Sequence, residues 1–115
     1  MNQDSNRRIL RVQKAIRDVL SLYLISRYQD ELSTLISVPD VRVSKDLKHA
    51  KVLVSSLNHK GNEEKLAEEL NERSSEIQAH LNKQLQMKFC PRVRFYPDKS
   101  FAIWDKFKEL SDDNE

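Results

Sequence analysis

The chain has 115 residues, 38% of them hydrophobic and 33% charged, with a formal net charge of only +2. That length suits one domain with one core. No apolar run approaches the roughly 20 residues of a membrane-spanning helix. The N-terminal MNQDSNRR lacks the apolar stretch of a signal peptide, and the lone Cys90 cannot form an internal disulfide. A soluble protein of a reducing, cytoplasmic compartment is therefore expected.

The charge is unevenly spread. Residues 1–60 carry eleven Lys/Arg against six Asp/Glu, residues 61–77 two against six, and residues 78–110 seven against three. The tail 111–115 adds three acids. Two basic regions separated by an acidic one suggest a polyanionic partner on some faces only.

Residues 6–27 read as an amphipathic helix. Ile9, Val12, Ile16, Val19, Leu20 and Tyr23 recur at steps of three and four, which places them on one stripe. Arg7, Arg11 and Lys14 lie opposite that stripe, flanked by Arg8 and Arg17, with Asp18 the only acid among them. Such a ridge suits phosphates. Residues 28–40 read as a connector with an irregular turn. Pro39-Asp40 is a turn signal, and Pro39 belongs at a strand start or edge because it cannot donate to a ladder.

The stretch Val41–Ser56 reads as two strands. Val41 and Val43 alternate with Arg42 and Ser44, and Val52 and Val54 alternate with Lys51, Leu53 and Ser55. A period of two gives a sheet with one oily side. Lys45-Asp46-Leu47-Lys48-His49 contains no glycine, so a loop longer than a two-residue turn is expected.

Residues 62–86 are helical again, with Leu66, Leu70, Ile77, Leu81 and Leu85 as the apolar stripe. Asn62 is a suitable N-cap, and Glu63 and Glu64 suit the first turn. The stripe breaks at Arg73-Ser74-Ser75, where Ser75-x-x-Gln78 fits a capping box that opens a second helix. Two helices at a kink, or one bent helix, both fit this pattern.

From Met87 to Tyr96 the pattern alternates. Met87, Phe89, Val93 and Phe95 point one way, while Lys88, Arg92, Arg94 and Tyr96 point the other, with Pro91 at a bulge or edge. Residues 101–110 suit a short helix or an extended segment, and the acidic tail 111–115 is expected to be disordered. The order α-β-β-α-(kink)-α-β, with helices on one face of a three-stranded sheet, is a two-layer α+β sandwich over residues 1–110.

At this point the chain resembles the ribosome-binding factor A family. Arg11-Val12 resembles the Arg-Val of that family's first helix. The hairpin pattern V-x-V-S-x-D-L-x-x-A-x-V-x-V-S is met by Val41, Val43, Ser44, Asp46, Leu47, Ala50, Val52, Val54 and Ser55. The closing pattern P-x-[LV]-x-F-x-x-D-x-S is met by Pro91, Val93, Phe95, Asp98 and Ser100. The resemblance covers roughly residues 7–105. It implies a type II KH-like domain that binds the free small (30S) ribosomal subunit. It also implies late maturation of 16S rRNA near its 5′-terminal helix, support of growth in the cold, and no enzymatic activity. In that family a helix-kink-helix built on Ala-x-Gly replaces the KH G-x-x-G clamp. Here Arg73-Ser74-Ser75 stands at that position and Gly61 is the only glycine. A kink held by serine capping, rather than by backbone permissiveness, is the expectation. Glu68, Glu69 and Glu72 just before it would repel phosphates.

No reactive constellation is legible. His49, His59 and His80 lack metal-ligand spacing, Asp46 and His49 share a turn without a nucleophile, and no P-loop glycines exist. No metal or cofactor is expected. The reading is therefore a monomeric, non-catalytic RNA binder. Its candidate phosphate contacts are Arg7, Arg8, Arg11 and Lys14 on the first helix. Lys45, Lys48 and Lys51 would act from the hairpin, and Lys83, Lys88, Arg92 and Arg94 from the second basic region. Tyr96 and Trp104 are candidate stacking aromatics. The rival readings are a protein adaptor docking through the acidic helix 62–76, and a small enzyme using His49 or Cys90.

Overall fold

The apolar stripe of the first helix is longer than its first six residues indicate. In the computed structural model, which describes residues 2–57 and 62–98 and side chains from Asn6 onward, α1 runs Asn2–Leu32. Val12, Ile16, Leu20, Leu24 and Tyr28 are buried at four-residue steps. The helix thus continues past residue 27. It stops at Ser33, whose φ of 51° is the left-handed position that glycine usually fills. Ser33 N–H donates to the Asp30 carbonyl and Thr34 N–H to the Gln29 carbonyl, the paired bonds of a Schellman ending.

The first strand, β1, is Ile36–Val43, so it starts five residues before Val41. Much of the expected connector is therefore helix or strand. Pro39 conceals this. Pairing with β2 (His49–Ser56) passes from Ser37↔Ser55 to Asp40↔Leu53, so Val38 and Pro39 oppose one residue in a β-bulge. The bulge accepts a residue with no N–H and lets both Val38 and Val41 point into the core. As expected for proline, β1 is an edge strand: the sheet order is β1-β2-β3.

The acidic stretch forms α2 (Glu63–Glu72) and α3 (Ser74–Leu85). Two helices, not one, flank Arg73, whose φ of −102° and ψ of 16° need no glycine. The capping expectations fail. Neither Asn62 nor Arg73, which stands at the N-cap of α3, makes a side-chain cap hydrogen bond, and Ser75 lies inside α3 rather than at its cap. Arg73 holds the kink instead: its guanidinium donates to the Glu69 carbonyl at 2.8 Å and pairs with Glu31 at 2.8 Å. It thereby satisfies an end carbonyl of α2 and ties the kink to α1. Nearby, the Tyr28 hydroxyl donates to Glu76, and Tyr23 stacks on His80 at 3.9 Å between centroids. Burial and that hydrogen bond raise the Tyr28 hydroxyl well above its ordinary pKa. The same bond, followed by Arg27, holds Glu76 below the usual carboxylate range.

The last strand, β3, is Arg92–Pro97, parallel to β2. It is shorter than the alternating stretch. After Gln86, in the left-handed region at φ 52°, residues 87–91 form a loop. Met87 still packs on the core, but Phe89 is 77% exposed; the inward assignment of Phe89 is wrong because strand parity begins only at Arg92. All buried strand residues face the helices, so the structure is a two-layer α+β fold with one open sheet face. The expectations for residues 101–110, Trp104, His59 and the tail 111–115 fall outside the described residues.

Candidate nucleic-acid interface

Edge strands present unpaired backbone groups that a stable fold must cover. Here amide side chains cover them. Gln13 Oε1 accepts from Val43 N–H at 2.9 Å on the β1 edge. On the β3 edge, Asn71 accepts from Phe95 N–H and donates to the Phe95 carbonyl, and Gln78 accepts from Val93 N–H and donates to the Pro91 carbonyl, all at 2.8–2.9 Å. These bonds fix how the helices run. Gln13 sits beside the end of β1, and α1 leads into the start of β1 at its other end. The residues before Gln13 therefore extend past Val43 toward the β1–β2 loop. Likewise α2 and α3 run down the β3 edge, with Asn71 beside Phe95 and Gln78 level with the first residue of β3, and the rest of α3 continues past that residue.

The consequence is electrostatic. One end of the fold gathers the start of α1, the β1–β2 loop, the end of α3 and the α3–β3 loop. The loops touch directly, since Arg92 N–H donates to the Lys48 carbonyl at 2.9 Å. That end carries the exposed Arg7, Arg8 and Arg11 from α1 and Lys45 and Lys48 from the hairpin. Lys83, Lys88 and Arg92 stand at the same end, also exposed. Among the described residues none of these eight makes an ion pair. Lys14, one turn further in, pairs with Asp18 at 2.8 Å and is partly neutralised. The acidic start of α2 and the Asp30-Glu31 end of α1 lie toward the opposite end. Basic regions that are separate in the chain are therefore adjacent in space.

A second cationic feature lies on the open sheet face. Pairing aligns Arg42↔Lys51 and Lys51↔Arg94, a row of three cations at the roughly 4.8 Å spacing of neighbouring strands. Sequence reasoning omits Arg42, whose place in the row depends on register. Asp40 bonds Arg42 at 2.6 Å, and Lys51 stands 5.2 Å from the Tyr96 ring centroid. Between this face and the kink runs a groove of about 880 Å³, lined by Lys51, Arg92 and Arg94 from the sheet and Ser74, Ser75 and Asn82 from the helices. So Lys51, Arg92, Arg94 and the kink serines come together. Tyr96 is half-buried beside them.

The candidates for chemistry are otherwise engaged. Asp46 Oδ1 accepts from the Ser44 hydroxyl and the Lys48 N–H, which holds its pKa below the usual range. Burial raises the Cys90 thiol, the direction that makes it less reactive at neutral pH. Among the described residues, no three His, Cys, Asp or Glu side chains gather as a metal site, and no helix is long and apolar enough to cross a membrane.

The family model described as ribosome-binding factor A matches residues 8–111. The chain belongs to the ribosome-binding factor A family. A ribosome-binding factor A of Bdellovibrio bacteriovorus is 36% identical over 97 residues, covering 84% of this chain and 72% of that protein. One from Cereibacter sphaeroides is 38% identical over 103 residues, covering 89% and 73%. The fold is similar to the crystal structure of ribosome-binding factor A from Thermus thermophilus, with a TM-score of 0.65 at 21% identity over 77% of this chain and 94% of that one. It also resembles a Thermus thermophilus ribosome binding factor A homology model fitted into a cryo-EM map of a 30S complex of that factor. There the TM-score is 0.58 at 20% identity, over 71% and 86% of the two chains. The type II KH-like assignment is consistent with these likenesses.

The geometry explains the family pattern in the hairpin. Ser44 N–H donates to the His49 carbonyl, and the Ser44 hydroxyl accepts from His49 N–H while donating to Asp46. Leu47, at φ 61°, turns the chain and packs against the core. Ser44, Asp46 and Leu47 thus hold a rigid loop that presents Lys45 and Lys48. Their role is structural, and Lys45 and Lys48 beside them are exposed.

Proposed function

We propose that this protein is a non-catalytic assembly factor that binds the free small (30S) ribosomal subunit in the cytoplasm and assists late maturation of 16S rRNA. The observation that carries this reading is the convergence of cations from four chain segments on one end of a fold that belongs to the ribosome-binding factor A family. In the proposal, Arg7, Arg8, Arg11 and Lys14 contact phosphates from α1, and Lys45 and Lys48 from the hairpin. Lys83, Lys88 and Arg92 extend the contact at the same end, and Lys51 and Arg94 extend it onto the open sheet face. Phosphate contacts position a protein without reading sequence, so specificity comes from the folded shape of the rRNA site, which we place near its 5′-terminal helix. The factor acts as a monomer, one KH-like domain over residues 1–110, and by occupancy: it prefers one rRNA conformer and shifts the population toward it.

Sedimentation of cell lysate tests the proposal. The protein should co-migrate with free small subunits and be absent from complete ribosomes, and its loss should leave unprocessed precursor rRNA and a cold-sensitive growth defect. Normal rRNA ends at low temperature would contradict the maturation role. Small-subunit binding that survives charge reversal at Arg7, Arg8 and Arg11 but is lost on changing Glu63, Glu64 and Glu68 would favour a protein adaptor instead.

A further inference from the structure

Phe89 is the most exposed large hydrophobic side chain among the described residues, at 77%, and it stands inside the cationic end. Single exposed apolar residues are common; the surroundings set this one apart. Lys88 Nζ lies 5.6 Å from the ring centroid. Three residues on, Arg92 donates its N–H to the Lys48 carbonyl, which brings the Lys45–Lys48 loop alongside. No carboxylate forms an ion pair with these cations among the described residues.

The backbone on either side of the ring is also held in place. Pro91 is buried, and Gln78 donates to its carbonyl at 2.9 Å while also binding Val93 N–H. Met87 and Cys90 pack on the core. Residues on both sides of Phe89 are therefore anchored, which fixes the place from which the ring projects. An outward aromatic ring on an anchored backbone among exposed cations is the chemistry that recognises an unpaired nucleotide: the base stacks on the ring while cations hold the adjoining phosphates.

We infer that Phe89 is a stacking platform for an unpaired RNA base, with Lys45, Lys48, Lys88 and Arg92 holding the phosphates on either side. This rests on the RNA-binding reading above and adds a contact that discriminates single-stranded RNA from duplex, where bases already stack on each other.

The test is fluorescence anisotropy of a labelled short oligoadenylate and of its abasic counterpart, with the wild type, Phe89→Ala, Phe89→Trp and the double variant Lys45→Gln/Lys48→Gln. Phe89→Ala should bind oligoadenylate about 5- to 150-fold more weakly, the range for losing one stacked base. Phe89→Trp should bind at least as well as wild type, and the abasic strand should not distinguish Phe89→Ala from wild type. The lysine variant should weaken both strands. Equal oligoadenylate binding by Phe89→Ala and wild type, with the lysine variant impaired, would overturn the stacking role and leave the RNA-binding reading standing. A wild type that binds neither the oligonucleotides nor small subunits would remove both. A Phe89→Ala variant whose melting temperature falls by several degrees, or which loses small-subunit binding alone, would reassign Phe89 to packing or to a protein contact.

Discussion

Replacing Gln78 with leucine tests how the β3 edge is held. Leucine keeps the helical propensity and approximate size of glutamine but can neither accept from Val93 N–H nor donate to the Pro91 carbonyl, both bonded at 2.9 Å. Val93 and Pro91 are buried residues, so their backbone groups are poorly placed to find water instead. An unsatisfied buried group costs about 1–3 kcal/mol. Gln78 itself is only half-buried, so the lower part of that range applies to each bond, or roughly 2–3 kcal/mol together. In a domain of this size that corresponds to a fall of about 8–12 °C in melting temperature. Thermal unfolding followed by circular dichroism reads this directly. The strand edge is also uncovered, so the variant should self-associate more readily. A fall of less than about 3 °C would show that the amide bonds are replaced by water and that Gln78 is not what closes the edge.

Three further outcomes follow from the same reasoning. Ser33→Gly should raise the melting temperature by a few degrees, because glycine meets the left-handed φ of the α1 ending at no steric cost; a decrease would contradict the Schellman assignment. Asp46, whose folded pKa is depressed first by the Ser44 hydroxyl and then by the Lys48 N–H, contributes stability that is present above its unfolded pKa of about 3.9 and lost as pH falls through the lower folded value. The stability gap between wild type and Asp46→Ala should therefore narrow in acid melts below about pH 4, and a gap constant from about pH 7 to about pH 2 would refute that. Arg73→Ala should loosen the kink by removing the bonds to Glu69 and Glu31, seen as faster amide exchange at the end of α2 and start of α3; unchanged exchange there would mean that backbone conformation alone sets the kink.

Periodicity carries most of the fold. Val12, Ile16 and Leu20 announce α1, and Val52 and Val54 announce the central strand, because burial repeats with each element's own period. What is illegible depends on single residues or on distant pairs. Ser33 ends α1 in a role usually signalled by glycine, so the pattern alone divides helix from connector too early. Pro39 resembles a strand boundary but lies in a bulge. Gln78 fits a local capping box, yet its amide serves a strand fifteen residues away, as do those of Gln13 and Asn71 for their strands; no local pattern marks a side chain that bonds a remote backbone. The cationic residues are legible by type. That most of them meet at one end, and that Arg42 joins Lys51 and Arg94 in a row, depends on chain direction and register. Phe89 is misplaced when alternation is extended through a loop.

The central claim is that the cationic end grips RNA in the small subunit. Its most direct test is the salt dependence of binding to purified free small subunits, comparing wild type with a variant carrying Arg7→Gln, Arg11→Gln, Lys45→Gln and Lys48→Gln. The variant should bind more weakly and show a shallower slope of log affinity against log salt, by about 0.7–0.9 for each phosphate that it no longer neutralises. Equal affinity and an unchanged slope in a folded variant would contradict it.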